Sequence, residues 1–444
     1  MKQMMSGVNL KSYLPPCRGM ERALVVVLAV VALAAAGAAA MRVEWLKDSR
    51  SVSSEDVQAL SPRVAPPEDS AIDYAKARQS FSYVSDYDKL LSRGEVWILP
   101  LNDELRFSMA ALLEPQSNVL SLLYEAATKP KYSAILPKTG YHLDALIYTM
   151  GYLNRVLLIK AYFEADHGDF DEAAKAVNAS LAISRVLIGQ PSDFPAQKER
   201  IMSDTAAALS EILGAGVISP ADYSILQKTL SQFDSRNATN LLLSYEAFQQ
   251  FSNDIRWPAR RFDGAFTVNL IAEQWFGEGD MRRRLILWRT KNVKDLAREP
   301  LGKYLPRSAA MDWGIRNISV TLPATSKESR ILSTQTRVAA LAAVLRTALA
   351  VEQFRGAHGH VPDDLKQLVP EFLPSVPVDP FSNAAVLYRK DAEGYRVYSV
   401  GDNFRDDRGD VNPNGPFSRQ DIGVRIRYPG PQGETSSQST EDKT

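Results

Sequence analysis

The run Ser399–Asn414, SVGDNFRDDRGDVNPN, crowds Asp402, Asn403, Asp406, Asp407 and Asp410 into one short loop. Gly401 and Gly409 supply the backbone freedom that a tight loop needs. Hard oxygen donors gathered in this way suit Ca²⁺. Arg405 and Arg408 neutralise part of the field, and the spacing is not that of an EF-hand. The same composition also builds a solvated acidic loop held by Asx-turns.

Other chemistry-bearing residues are sparse. Of the four histidines, His358 and His360 stand one residue apart, so in a strand or helix they should point in different directions and serve structure. His142 and His167 have no partner at metal-ligand spacing. The single Cys17 allows neither an internal disulfide nor a cysteine-based zinc site, and no Cys–His nucleophile is indicated. The sequences G-x-S-x-G, H-E-x-x-H, Walker A and G-x-G-x-x-G do not occur. Carboxylates are abundant, but an acid–base pair cannot be chosen among them without distances.

One stretch has the composition of a docking surface. Arg256, Trp257, Arg260 and Arg261, followed by Arg283, Trp288 and their arginine neighbours, would meet an acidic peptide, a partner protein or lipid headgroups. A solvated helix face whose arginine stems cover apolar neighbours has the same composition.

The elements that must position these residues are mainly helical. Ser117–Ala127, Leu143–Asp166, Asp169–Ile188 and Pro195–Leu213 carry apolar residues at three- and four-residue spacing, with breaks at Gly189-Gln190-Pro191 and Ser219-Pro220. Within them Ala161–Ser184 resembles a tetratricopeptide-type hairpin. Gly168-Asp169-Phe170 makes the turn, and Ala161 and Ala173 are the small residues that let the helices approach. Glu164 and Arg185 depart from that pattern and no second copy recurs at a fixed period, so an ordinary αα-hairpin is the alternative.

After residue 330 the character changes. Ile331, Val338, Leu341, Leu345, Ala348 and Leu349 draw one apolar stripe on a helix of about six turns. It should end near Phe354–Arg355, before Pro362. Asp363–Leu368 reads as a short helix or turn. Val386–Lys390 and Tyr395–Gly401 read as a hairpin, and Ile422–Tyr428 as a third strand with one buried face.

These features together resemble the periplasmic half of type II secretion major pseudopilins. Gly359–Pro362 corresponds to that family's G-x-[YW]-P turn, with Val361 at the aromatic position. Asp379–Asn383 corresponds to D-P-[FW]-x-N, Val386–Tyr398 to the hairpin and Tyr398–Gly401 to Y-S-x-G. The resemblance covers residues 335–412. It implies a calcium loop in which Val400 gives a backbone carbonyl, Asn403 stands where the family has Asp and Asp410 falls on a later acidic position, with Asp406 and Asp407 added from the loop's own composition. Pro413 falls at a further acidic position of the family. Pseudopilins lead from a prepilin-peptidase site straight into the long helix. Here a helical region of over 200 residues separates the apolar segment from it.

That apolar segment, ALVVVLAVVALAAAGAAAM, is uncharged from 23 to 41 and, as a helix, spans roughly the 30 Å hydrocarbon core of a bilayer. Lys2, Lys11, Arg18 and Arg22 precede it, which holds the N-terminus and Cys17 in the cytoplasm and places the bulk of the chain in the periplasm. Ala38-Ala39-Ala40 also fits a signal-peptide cleavage site, so a cleaved, exported form is the alternative. The expected organisation is a basic segment 1–22, an inner-membrane anchor 23–41, a polar linker 42–67, a helical domain 68–330, an α+β domain 331–428 and a tail 429–444. The anchor, helical array and C-terminal domain together are similar to bacterial envelope proteins of the planctomycete type. With 52 basic and 52 acidic side chains the net charge is zero, and no nucleic acid partner is expected.

The reading that follows is a non-catalytic envelope scaffold or adaptor that binds another envelope or secretion protein. A pseudopilin-related secretion or pilus component is the first alternative. An envelope enzyme using carboxylates of the helical domain is the second.

Overall fold

A computed structural model describes residues 65–81, 90, 97–132, 141–188, 195–233, 326–411 and 421–428. The apolar segment 23–41, the basic stretch from Arg256 to Trp288 and the tail 429–444 lie outside the described residues. Among the described residues no helix is long and apolar enough to cross a membrane.

The fold is mainly helical with a small antiparallel sheet. Its helices are α1 (Ala71–Ser80), α2 (Asp103–Leu113), α3 (Ser117–Thr128), α4 (Tyr141–Asp166), α5 (Phe170–Ile188), α6 (Pro195–Ala215), α7 (Pro220–Ser231) and α8 (Ser326–His358). Local sequence accounts for several boundaries. The Asn102 side chain caps α2 by accepting the Leu105 N–H, and Ser219 caps α7 by accepting the Asp222 N–H ahead of a first-turn proline.

The turn between α4 and α5 is built on Gly168, whose φ of +83 is a conformation that other residues adopt only at a cost. Asp169 then caps α5 by accepting the Glu172 N–H at 3.0 Å. Ala161 and Ala173 are fully buried in the seam that this hairpin closes. Helix α6 packs on both α4 and α5. A buried polar network fixes the rotation of the three. Ser180 donates to Asn154 Oδ1 at 2.6 Å and lies 2.5 Å from the Thr205 hydroxyl, which bonds the Ile201 carbonyl.

Two apolar clusters form the interior. One lies under α1–α3 and one face of the hairpin, around Met109, Leu123, Leu153 and Ile183. The other runs from α5, α6 and α7 through α8 into the sheet, and holds Leu209, Leu345, Tyr395 and Ile426 together. Residue 330 lies within α8, and one continuous core runs from the helices into the sheet.

Helix α8 lies at the centre of that core, against α6, α7 and the sheet. Val338, Leu341, Leu345, Ala348 and Leu349 are buried as the stripe requires, but so are Ala340, Ala342, Val344, Ala350 and Val351. A helix covered on several sides buries its alanines as well as its stripe.

The sheet comprises β1 (Leu387–Asp391), β2 (Gly394–Ser399) and β3 (Ile422–Arg427), all antiparallel in the order β1-β2-β3. Tyr395 and Val397 of β2 and Val424 and Ile426 of β3 face α8. A polar joint ties the layers. The Tyr428 hydroxyl donates to Glu352 Oε1 at 2.7 Å, Arg355 holds Glu352 Oε2 at 2.7 Å, and the Arg355 guanidinium lies 4.5 Å over the Tyr428 ring.

Candidate functional site

The acidic loop leaves β2 at Ser399, makes a short 3-10 turn over Gly401–Asn403 and runs to Val411. Its foundation is Asp379, which is buried in the preceding proline-punctuated loop. Asp379 Oδ1 accepts the Ser399 hydroxyl at 2.7 Å and the Phe381 N–H at 3.0 Å. Oδ2 accepts the Ser382 hydroxyl at 2.8 Å and the Val400 N–H at 3.4 Å. The D-P-F-x-N run and the Y-S-x-G segment are thus joined through one buried carboxylate.

Within the loop the candidate ligands spend their oxygens on one another and on backbone. Asn403 Nδ2 donates to Asp407 Oδ2 at 2.5 Å, while Asn403 Oδ1 accepts the Arg405 N–H at 3.0 Å. Asp406 Oδ1 accepts the Tyr398 hydroxyl at 3.1 Å and the Arg408 N–H at 2.8 Å. Asp410 is exposed, and its N–H bonds the Asp407 carbonyl at 3.3 Å. Val400 is buried at the loop's root. From the sheet, Arg396 holds the Gly409 carbonyl at 3.2 Å. Among the described residues no three His, Cys, Asp or Glu side chains stand together as a metal-binding group.

Two residues that sequence reasoning missed complete the site. Asp421, just before β3, is buried and accepts the Gly409 N–H at 2.7 Å and the Asp407 N–H at 3.3 Å. Burial pushes its carboxyl above the ordinary range, the two N–H groups oppose that shift, and the charges of Asp407 and Asp406 add to it. The pairing of β2 with β3 and a bridge to Val411 bring Asp421 to the loop, so no local signal marked it.

The second is Arg337 of α8. Its guanidinium pairs with Glu199 of α6 and, through NH1, with Asp402 Oδ2 at 2.9 Å. Burial raises the Glu199 carboxyl to about 7 against the pull of Arg337. Beside it Lys198 is buried too, and burial lowers its amine to about 7. Asp402 Oδ2 is thus held by Arg337.

No protein-family model, curated protein or solved structure matches the chain. Its function must be argued from its own geometry.

In the helical part, many carboxylates face a cation, either a lysine, as Asp73 faces Lys129 and Glu164 faces Lys160, or an arginine. Glu199 meets Arg337, Asp204 lies 3.8 Å from Arg200, and Glu211, raised by burial, feels Arg427. The Glu199–Arg337 pair joins two helices and the Asp204–Arg200 pair lies within one, whereas acid–base catalysis places two titratable groups on one reacting bond.

The histidine pair departs from its expectation. His358 and His360 do not diverge: their ring centroids lie 6.2 Å apart.

Proposed function

We propose that the chain is a membrane-anchored extracytoplasmic scaffold or adaptor, non-catalytic, that binds another envelope protein. The observation that carries this reading is the continuous core joining the helix pairs to the C-terminal sheet through α8. Its buried polar groups hold the layers together: Arg337 of α8 pairs with Glu199 of α6, and Glu352 of α8 accepts the Tyr428 hydroxyl. A platform of stacked helix pairs offers an extended surface to a partner. The segment 23–41 supplies the tether in the inner membrane, with the bulk of the chain in the periplasm.

The test is cross-linking of the full-length protein in native membranes, followed by capture. One partner should be recovered, and Arg283→Glu with Trp288→Ala in the basic stretch should reduce its yield several-fold. Capture that returns no specific partner overturns the reading.

A pseudopilin-related role is the second reading, favoured by the order long helix, Asp379-anchored loop, hairpin, acidic loop and third strand. Against filament assembly, Gln335, Arg337, Val338 and Leu341 of α8 are already buried. Calcium belongs to this second reading. Asp406 Oδ1 and Asp407 Oδ2 are engaged within the loop, so an ion competes with those bonds and binds with a dissociation constant on the order of millimolar. Thermal melting of the full chain should rise with Ca²⁺ in that range and lose the rise in Asp410→Ala. A flat titration overturns the calcium assignment.

A further inference from the structure

The C-terminal end of α8 carries an arrangement that residue spacing alone conceals. His358 closes the helix, and Gly359 takes a φ of +75. That left-handed residue folds the chain back, so His360 returns to the aromatic cluster on which His358 rests. His358 stacks on Phe354 with centroids 4.1 Å apart, and His360 meets the same ring edge-on at 5.7 Å. Phe372 closes the cluster, 5.8 Å from Phe354 and 6.1 Å from His358.

Each imidazole spends its Nδ1 on a backbone carbonyl. His358 Nδ1 lies 3.0 Å from the Phe354 oxygen, and His360 Nδ1 lies 3.0 Å from the Val361 oxygen. A carbonyl oxygen only accepts, so Nδ1 carries the proton and Nε2 of the neutral ring keeps its lone pair. Metal-ligating histidines are held in this way, with the second nitrogen pinned by an acceptor.

The separation fits a shared ion. With metal–nitrogen bonds of about 2.0–2.1 Å, two imidazoles on one metal have centroids about 5 Å apart at a tetrahedral angle and about 6.4 Å apart when opposed. The observed 6.2 Å lies within that range. Both histidines are exposed, so water has access to the remaining positions. The carbonyl end of a 33-residue helix adds a potential that favours a cation.

We infer that His358 and His360 form a two-histidine surface site for a divalent transition-metal ion, bound through both Nε2 atoms. Imidazole selects copper, nickel or zinc over the hard ions that carboxylate loops take, so the site is chemically separate from the acidic loop. Copper, at the top of the affinity order for such ligands, is the probe.

Full-length protein without a polyhistidine tag is titrated with CuCl₂ and followed by electron paramagnetic resonance and thermal melting. One ion per chain should bind, with the hyperfine signature of two imidazole nitrogens. Either His358→Gln or His360→Gln should weaken binding at least tenfold, as roughly expected for loss of one of two ligands. His167→Gln is the control, because His167 also pins Nδ1 on a carbonyl, that of Phe163 at 2.7 Å, and should change nothing. Both tested side chains are exposed but touch the aromatic cluster, so the metal-free melting of each variant is its own baseline and should lie within about 5 °C of wild type. The inference is overturned if wild type binds no ion in a roughly tenfold excess. Binding undiminished in either variant, or half an ion per chain with dimer formation, overturns it equally.

Discussion

Arg337 NH1 donates to Asp402 Oδ2 across 2.9 Å, while the same guanidinium holds Glu199. One buried cation therefore joins α6, α8 and the root of the acidic loop. Removing it leaves the buried Glu199 carboxyl without its ion-pair partner, which in a buried setting costs about 3–5 kcal/mol. Arg337→Met should lower the unfolding free energy by that order in urea titrations of the full chain. Arg337→Met combined with Glu199→Leu should recover most of the loss, because replacing a whole buried pair by apolar groups is close to neutral.

The same corner predicts a pH profile with two arms. Glu199 is raised from 4.5 to about 7 in the fold. The native state then holds the proton more tightly, and the stability Glu199 contributes is complete below pH 4.5 and lost as pH rises through 7. Lys198 is lowered from 10.5 to about 7. The native state binds its proton less tightly, so that contribution is complete above pH 10.5 and lost as pH falls through 7. Glu199→Gln should flatten the falling arm and Lys198→Met the rising arm, as read by denaturant midpoints across pH.

Asp379 accepts four donors, and its loss leaves the Ser399 and Ser382 hydroxyls and the Phe381 and Val400 N–H groups without that acceptor. Asp379→Ala should cost about 2–4 kcal/mol, and Ser399→Ala about 1 kcal/mol. Hydrogen exchange should quicken across residues 400–411 in the first variant before it does so in α8.

Ala173 sits with no exposed surface in the seam between α4 and α5. A larger side chain there must push the helices apart. Ala173→Leu should destabilise by about 1–3 kcal/mol, and Ala173→Gly should cost about 1 kcal/mol through helix propensity. Thermal melting of the two variants separates a closely packed seam from a loose one, in which leucine would be tolerated.

Much of this architecture was legible locally. Three-and-four spacing located α3 to α6, Gly168 and Ser219-Pro220 marked their ends, and alternation at Ile422, Val424 and Ile426 marked the third strand. Such features depend on neighbours within a few residues, so the chain itself carries them.

The rest depends on groups far apart in sequence. Nothing near Val344 or Ala350 says that α8 is covered on several sides, because that follows from α6, α7 and the sheet closing around it. Nothing near Asp421 says that it will accept amides of residues 407 and 409; the β2–β3 pairing does that. Glu199 and Arg337, 138 residues apart, meet only in the folded core. At His358 and His360 the spacing itself misleads, since alternation of side chains holds only for regular backbone and Gly359 breaks it. Sequence by itself determined the elements and the loop's composition. Tertiary packing decided which charges pair, which faces are buried and which rings meet, because those energies arise between elements that the chain brings together only on folding.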